Sequence, residues 1–279
     1  MQTNQHTLSK ACHFEGKGLH TGAPVSMKLL PAPAGSGIRF RRTDLPSEPE
    51  IQALAEYVSN TTRSTTLSQG EVHIMTAEHL LSALTGMGVD NALVELDSAE
   101  VPILDGSARP YAEAILQAGL EEQDAPRRYI ELPYTLEIKD SRTDSWIRLE
   151  PAKAPSAHIT IDFSSEVLGV QEASWNEETD YATQIAPCRT FCFYKEVEPL
   201  LKAGLIKGGD LENALVITEE GYMGNPQLHF EDECSRHKLL DLLGDLRLSG
   251  GFLCARIQAH KPGHTLNTKA AKALRALLK

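Results

Sequence analysis

Three histidines and three carboxylates in this 279-residue chain stand at spacings that chemistry could use. His237 and Asp241 are four apart in EDECSRHKLLDLLGDL, residues 231–246. On a helix that spacing stacks the two side chains on one face, and an imidazole and a carboxylate so placed can close on one metal ion. Asp245 follows one turn later with Lys238 at the edge of the same arc, while Leu239, Leu240, Leu242, Leu243 and Leu246 fill the opposite arc. In TAEHLLSALTGM, residues 76–87, Ala77, Leu80, Leu81, Leu84 and Met87 share one face and Glu78, His79 and Ser82 the other. His264 stands in KPGH, which its proline and glycine mark as a loop. Taken alone, the helical pairs read first as solvated polar faces, and His20, in the turn at residues 16–22, as a histidine satisfying a backbone group.

Together they are more specific. Two neutral imidazoles and one carboxylate (His79, His237, Asp241) make a three-ligand zinc site with a fourth position open to water, the arrangement of a catalytic zinc. Glu78 points about 100° away from His79 on the helix and could serve as general base toward that water. His264 could protonate a leaving group, with Asp245 holding it in a useful tautomer or in its cationic form. Spacing alone does not show that the two helices meet.

The elements that must position these groups read as α+β, strands followed by helices in each half rather than a repeating βαβ. VSMKLLPA and GIRFRRTD alternate in the strand period, and GKGLHTG, residues 16–22, reads as a hairpin turn because it lacks the Walker A pattern. Residues 51–75 suggest a small β unit turning at Gln69-Gly70, and Thr76 a helix N-cap. NALVELDS reads as a strand, and a helix follows Asp105-Gly106 with Ser107 as its cap and Pro110 in its first turn. EEQDAPRR, residues 121–128, reads as a linker. Strands then resume, with a short helix in KEVEPLLKAGL, a glycine turn and strand in IKGGDLENALVI, and a closing helix in LNTKAAKALRALLK. No internal repeat is visible in the residues themselves.

Net charge of −11 argues against a nucleic-acid binder but leaves room for one phosphorylated ligand held by local lysines and arginines. No run of 18 apolar residues and no apolar signal core is present, which predicts no membrane span and a cytoplasmic protein. Five scattered cysteines fit a reducing compartment.

TAEHLLSALTGMGVDNALVEL, PILDGSARPY, RTF, IKGGDLENALVI, RHKLLDLLGDL and KPGHTLN, with GKGLHTG and RRTDL near the start, closely resemble the UDP-3-O-acyl-N-acetylglucosamine deacetylases, the zinc amidases of bacterial lipid A synthesis. The segments run in the same order over nearly the whole chain. The resemblance implies one zinc per chain on His79, His237 and Asp241, Glu78 activating water, and His264 opposite it, charged and oriented by Asp245. It implies that Thr190 helps stabilise the oxyanion and that Phe191 lines the sugar and acetyl region. Lys238 and Lys261 match basic positions near the sugar and diphosphate, and Asp162 and Phe163 the uridine corner. The substrate implied is the UDP-3-O-acyl-N-acetylglucosamine. The fold implied is two α+β domains, 1–126 and 127–279, sandwiching their helices between two sheets. Each carries a small insert, about 42–70 and about 194–220, the second forming an acyl tunnel. Gly209 belongs with the substrate-binding positions, but Asp210 and Glu212 beside it depart from the less charged residues of many members. CSRHKLLDLLGDL with LIKGGDLENALVI is most similar to members in which a hydroxyacyl carrier-protein dehydratase follows on the same polypeptide, and the same is expected here.

Overall fold

A computed structural model describes residues 3–278. Alternating burial along VSMKLLP and IRFRR builds the first sheet, one face of each strand turned to the core. Its strands lie in the order Cys12–Lys17, Pro24–Pro31, Ala92–Leu96, Ile38–Arg42, Glu50–Gln52, antiparallel except between Ile38–Arg42 and Ala92–Leu96. The second sheet runs Leu136–Asp140, Ser145–Pro151, Phe252–His260, Ser156–Asp162, Val170–Asn176. Its one parallel neighbour pair along this path is Ser156–Asp162 with Phe252–His260, and Tyr129–Glu131 adds to the start of the latter.

The two sheets share one wiring. Four strands follow in sequence, an insertion comes next, then a helix, a strand entering between the second and third, and a last helix. The first half closes with α1 (Glu78–Gly86) and α2 (Arg109–Ala118). Its insertion is a turn of 3₁₀ helix at Ala55–Tyr57 and a sheet of Val58–Asn60, Thr66–Gln69 and Val72–Ile74. The second insertion holds α3 (Tyr181–Gln184), α4 (Tyr194–Lys202) and the parallel strands Phe191–Phe193 and Leu215–Ile217. α5 (Glu233–Arg247) and α6 (His264–Ala276) close that half. On this duplicated wiring we propose a division into two domains near 126/127.

One contiguous core joins Met27, Leu29 and Phe40 of the first sheet, Leu80, Leu84, Leu240 and Leu243 of the helices, and Ile147, Ile159 and Ile257 of the second sheet. α1 and α5 therefore lie between the sheets and are buried on both faces; Ser82, His237, Asp241 and Asp245 are as inaccessible as the leucines. The polar arcs are not solvated: they face each other. Gly244 makes that approach possible, since a Cβ there would stand 2.1 Å from the Glu78 carbonyl oxygen.

Several local expectations are corrected. Residues 121–128 are no linker, because Leu120–Pro126 is a strand paired with Asn4–Leu8, its charged side chains outward. Thr76 is not the N-cap of α1; Ala77 holds that position, and Thr76, at φ 57°, donates its hydroxyl to Glu100. Ser107 precedes the capping residue of α2, Ala108, although its Oγ accepts the Arg109 N–H. His264 is not in a loop but is the first residue of α6, after Gly263. The strand Val170–Asn176 has a largely exposed edge and too little apolar alternation to stand out in the sequence.

Candidate metal and catalytic centre

The crossing of α1 over α5 brings one ligand-bearing residue of the first half onto two of the second. The ligand atoms of His79, His237 and Asp241 lie within 4.8 Å of one another, all three residues buried. His237 Nε2 and His79 Nε2 stand 3.5 and 3.7 Å from Asp241 Oδ1. His237 Nδ1 lies 3.0 Å from the Cys188 carbonyl oxygen, which assigns the proton to Nδ1 and leaves Nε2 as a lone pair toward the centre. Burial lowers both imidazoles, His79 to about 3, so both are neutral near pH 7. Burial alone would raise Asp241, but Lys238 and the neighbouring histidines outweigh it and hold the carboxyl far below its ordinary range.

Asp241 Oδ1 is buried without a hydrogen-bond partner. A buried charged acceptor facing two lone pairs is costly unless a cation sits among them. The donor set, two nitrogens and one oxygen, suits zinc. The other oxygen, Oδ2, accepts the Lys238 ammonium at 2.7 Å. Lys238 therefore holds a centre residue, with its nitrogen 5.6 Å from the Phe191 ring centroid.

Glu78 opens α1. Its Oε2 accepts the Thr65 N–H at 3.0 Å and its Oε1 is 3.8 Å from His264 Nε2. Burial raises its carboxyl to about 7, against the opposing pull of His264, which suits a group that must take up a proton near neutrality. His264 Nδ1 is 2.9 Å from Asp245 Oδ2. Burial would lower this imidazole, yet Asp245, Asp241 and Glu78 together raise it to about 9. Asp245 also accepts the Thr65 hydroxyl and the Asn267 amide. A carboxyl raised and an imidazole raised 3.8 Å from it give a base and an acid side by side at the centre.

The centre opens into a cavity of about 390 Å³. Thr190, Phe191, Phe163, Lys238 and Gly209 line it, as do Val197, Ile206, Leu211 and Val216 from the second insertion. Asp162 and Lys261 are not in its lining; they pair with each other at 3.4 Å where the second sheet ends. The sequence pattern places neither of two further residues at this site. His20, in the 16–22 hairpin, lines the cavity with a buried Nε2 that has no partner, and burial lowers its pKa. Thr65 ties Glu78 to Asp245. Neither carries a local pattern; only the fold brings a hairpin turn and an insertion to the helices.

A family model described as UDP-3-O-acyl N-acetylglycosamine deacetylase matches residues 5–276. Among curated relatives, the UDP-3-O-acyl-N-acetylglucosamine deacetylase of Myxococcus xanthus is 44% identical over 96% of this chain and 85% of its own. The deacetylase of Trichormus variabilis is 43% identical over 98% and 99%. The bifunctional LpxC/FabZ enzyme of Porphyromonas gingivalis is 43% identical over 100% of this chain, which spans 65% of that relative's length. The chain belongs to the UDP-3-O-acyl N-acetylglycosamine deacetylase family.

Proposed function

We propose that the chain hydrolyses the 2-acetamido group of UDP-3-O-acyl-N-acetylglucosamine, releasing acetate and the free amino sugar nucleotide, in lipid A synthesis. The carrying observation is the triad His79, His237 and Asp241 with its unpartnered Asp241 oxygen, set at the mouth of an apolar cavity. A single zinc ion held by these three residues would supply Lewis acidity toward the acetamide carbonyl and the attacking water. Glu78 takes the proton of that water as it attacks. Thr190, in the cavity lining, donates to the developing oxyanion. His264, kept cationic by Asp245, delivers a proton to the departing amine. Phe191 packs on the sugar and acetyl region. Lys238 and Lys261 face the sugar and diphosphate, Asp162 and Phe163 the uridine, and Gly209 the acyl chain.

Acetate release from the UDP-sugar with and without its 3-O-acyl chain, before and after chelation, tests this reading. Activity that needs both metal and acyl chain supports it. Equal turnover of both sugars would point to another acetamide as the substrate. Continuation into a hydroxyacyl carrier-protein dehydratase is part of the proposal, supported by the bifunctional relatives; the source gene past codon 279 decides it. A cytoplasmic location is likewise proposed; among the described residues no helix is long and apolar enough to cross a membrane.

A further inference from the structure

At the far end of α5 from the metal centre, a second cleft of about 330 Å³ lies between the two halves. Three arginines, Arg128, Arg247 and Arg275, line it with one carboxylate, Asp90, in a chain of net charge −11. Arg247 is only 6% exposed. Its Nη2 donates to the carbonyls of Val89 and Asp90, but its Nη1 has no hydrogen-bond partner. The guanidinium carbon lies 4.2 Å from the Phe252 ring centroid, and burial pushes its pKa down to about 10.

The nearby carboxylates are engaged elsewhere. Asp90 accepts from the Arg127 guanidinium and from the His6 N–H. Arg275 is tied to Glu56. Arg128 makes no ion pair among the described residues and is exposed at the rim. The floor is kept open by Gly250, at φ 89°, where a Cβ would stand 2.9 Å from Arg275 Nη1 and 3.0 Å from Leu54. The cleft thus combines a buried cation lacking one partner, a second cation free to close over it, and a floor without side chains.

We propose that this cleft binds a small oxyanion of the phosphate class, held by Arg247 and closed over by Arg128. The free Nη1 of Arg247 offers N–H donors to a phosphate oxygen, the Arg128 guanidinium can supply a fork to the others, and an anion, unlike a water molecule, also neutralises the buried charge. Because the lining comes from both halves, occupancy would brace their packing.

The test uses the full, metal-loaded chain, with inorganic phosphate titrated against chloride at matched ionic strength and followed by calorimetry and thermal unfolding. Saturable binding with a raised unfolding temperature is expected. Arg128→Gln should weaken it at least fivefold and Arg247→Lys at least tenfold, while Lys261→Ala, at the end of the second sheet and outside this cleft, should leave it unchanged. Arg128 is exposed, so its variant remains informative if Arg247→Lys does not fold. Binding of glycerol 3-phosphate tighter than phosphate would assign an organic phosphate, and the reverse the free ion. No saturable binding, binding indifferent to both arginine variants, or binding lost in Lys261→Ala would overturn the proposal.

Discussion

The two halves of the molecule share one strand order and one helix order, yet the insertions before α1 and α5 do opposite things. In the first half the insertion delivers Thr65, whose N–H and hydroxyl fix Glu78 and Asp245. In the second it delivers Val197, Ile206, Leu211 and Val216, which wall the cavity with apolar surface. The same scaffold position thus supplies fixed hydrogen bonds in one copy and desolvation in the other. Function resides in what is grafted onto the wiring, not in the wiring. If that division is right, changes in the first half should act on chemistry, whatever the substrate's chain. Changes in the apolar wall that the second insertion supplies, Val197, Ile206, Leu211 and Val216, should act on recognition of the chain alone.

The largest effects belong to the helix crossing. Glu78→Gln should lower kcat by about 10²–10⁴-fold, the usual worth of a general base, with bound metal unchanged by elemental analysis after gel filtration. His79→Ala, His237→Ala and Asp241→Ala should each lose metal under the same dilution, since each removes one of three donors. Metal loss in Glu78→Gln would make Glu78 a ligand and dissolve the distinction between base and cage.

Asp245→Asn comes next, and its sign follows from the geometry. Asp245 is among the charges that raise His264 to about 9. Removing its charge lets burial lower the imidazole, so the protonated acid is lost at lower pH. The basic limb of the kcat/KM profile should move down by about one unit or more. A limb that stays put would assign it to another group. Thr65→Val removes the hydroxyl from the buried Asp245 carboxylate while keeping shape. It should cost about 1.5–3 kcal/mol in urea unfolding, the range for a hydrogen bond to a charged group. An unchanged unfolding midpoint would show that the insertion does not anchor the acids.

How far the sequence disclosed this site depends on the kind of feature. His237 and Asp241 were legible because helical periodicity fixes which residues share a face. Glu78 and His79 were legible for the same reason, and strand alternation exposed most of both sheets. That the two polar arcs meet was not legible, because it depends on Gly244 and on a second sheet covering α5. A buried polar face and a solvated one have the same spacing. Thr65 and His20 were hidden for a related reason: their partners lie 180 and 80 residues away, Asp245 through the Thr65 hydroxyl and Glu100 through the His20 N–H. The duplication was invisible because it is carried by strand order, not by residue identity. The charged strand Leu120–Pro126 resembled a linker since, as an edge pairing with Asn4–Leu8, it turns its acids to solvent.

The smallest expected effect is also the sharpest test of the comparison. Ala214 lines the cavity just before the strand Leu215–Ile217, in the second insertion, and is itself none of the groups assigned to the chemistry. Ala214→Leu adds three carbons to an apolar wall, where crowding by even one methylene is worth about 1–3 kcal/mol. The variant should raise KM for a long-chain substrate about tenfold and progressively less as the 3-O-acyl chain is shortened. Turnover of a sugar nucleotide without the chain should stay at its wild-type rate, because Glu78, His264 and the three donors are untouched. The mirror change in the first half, Thr65→Val, should alter both substrates alike. If Ala214→Leu slowed the chainless sugar as much as the acylated one, the apolar wall would be shaping the reacting groups as well, and the division of labour between wall and anchored acids would fail.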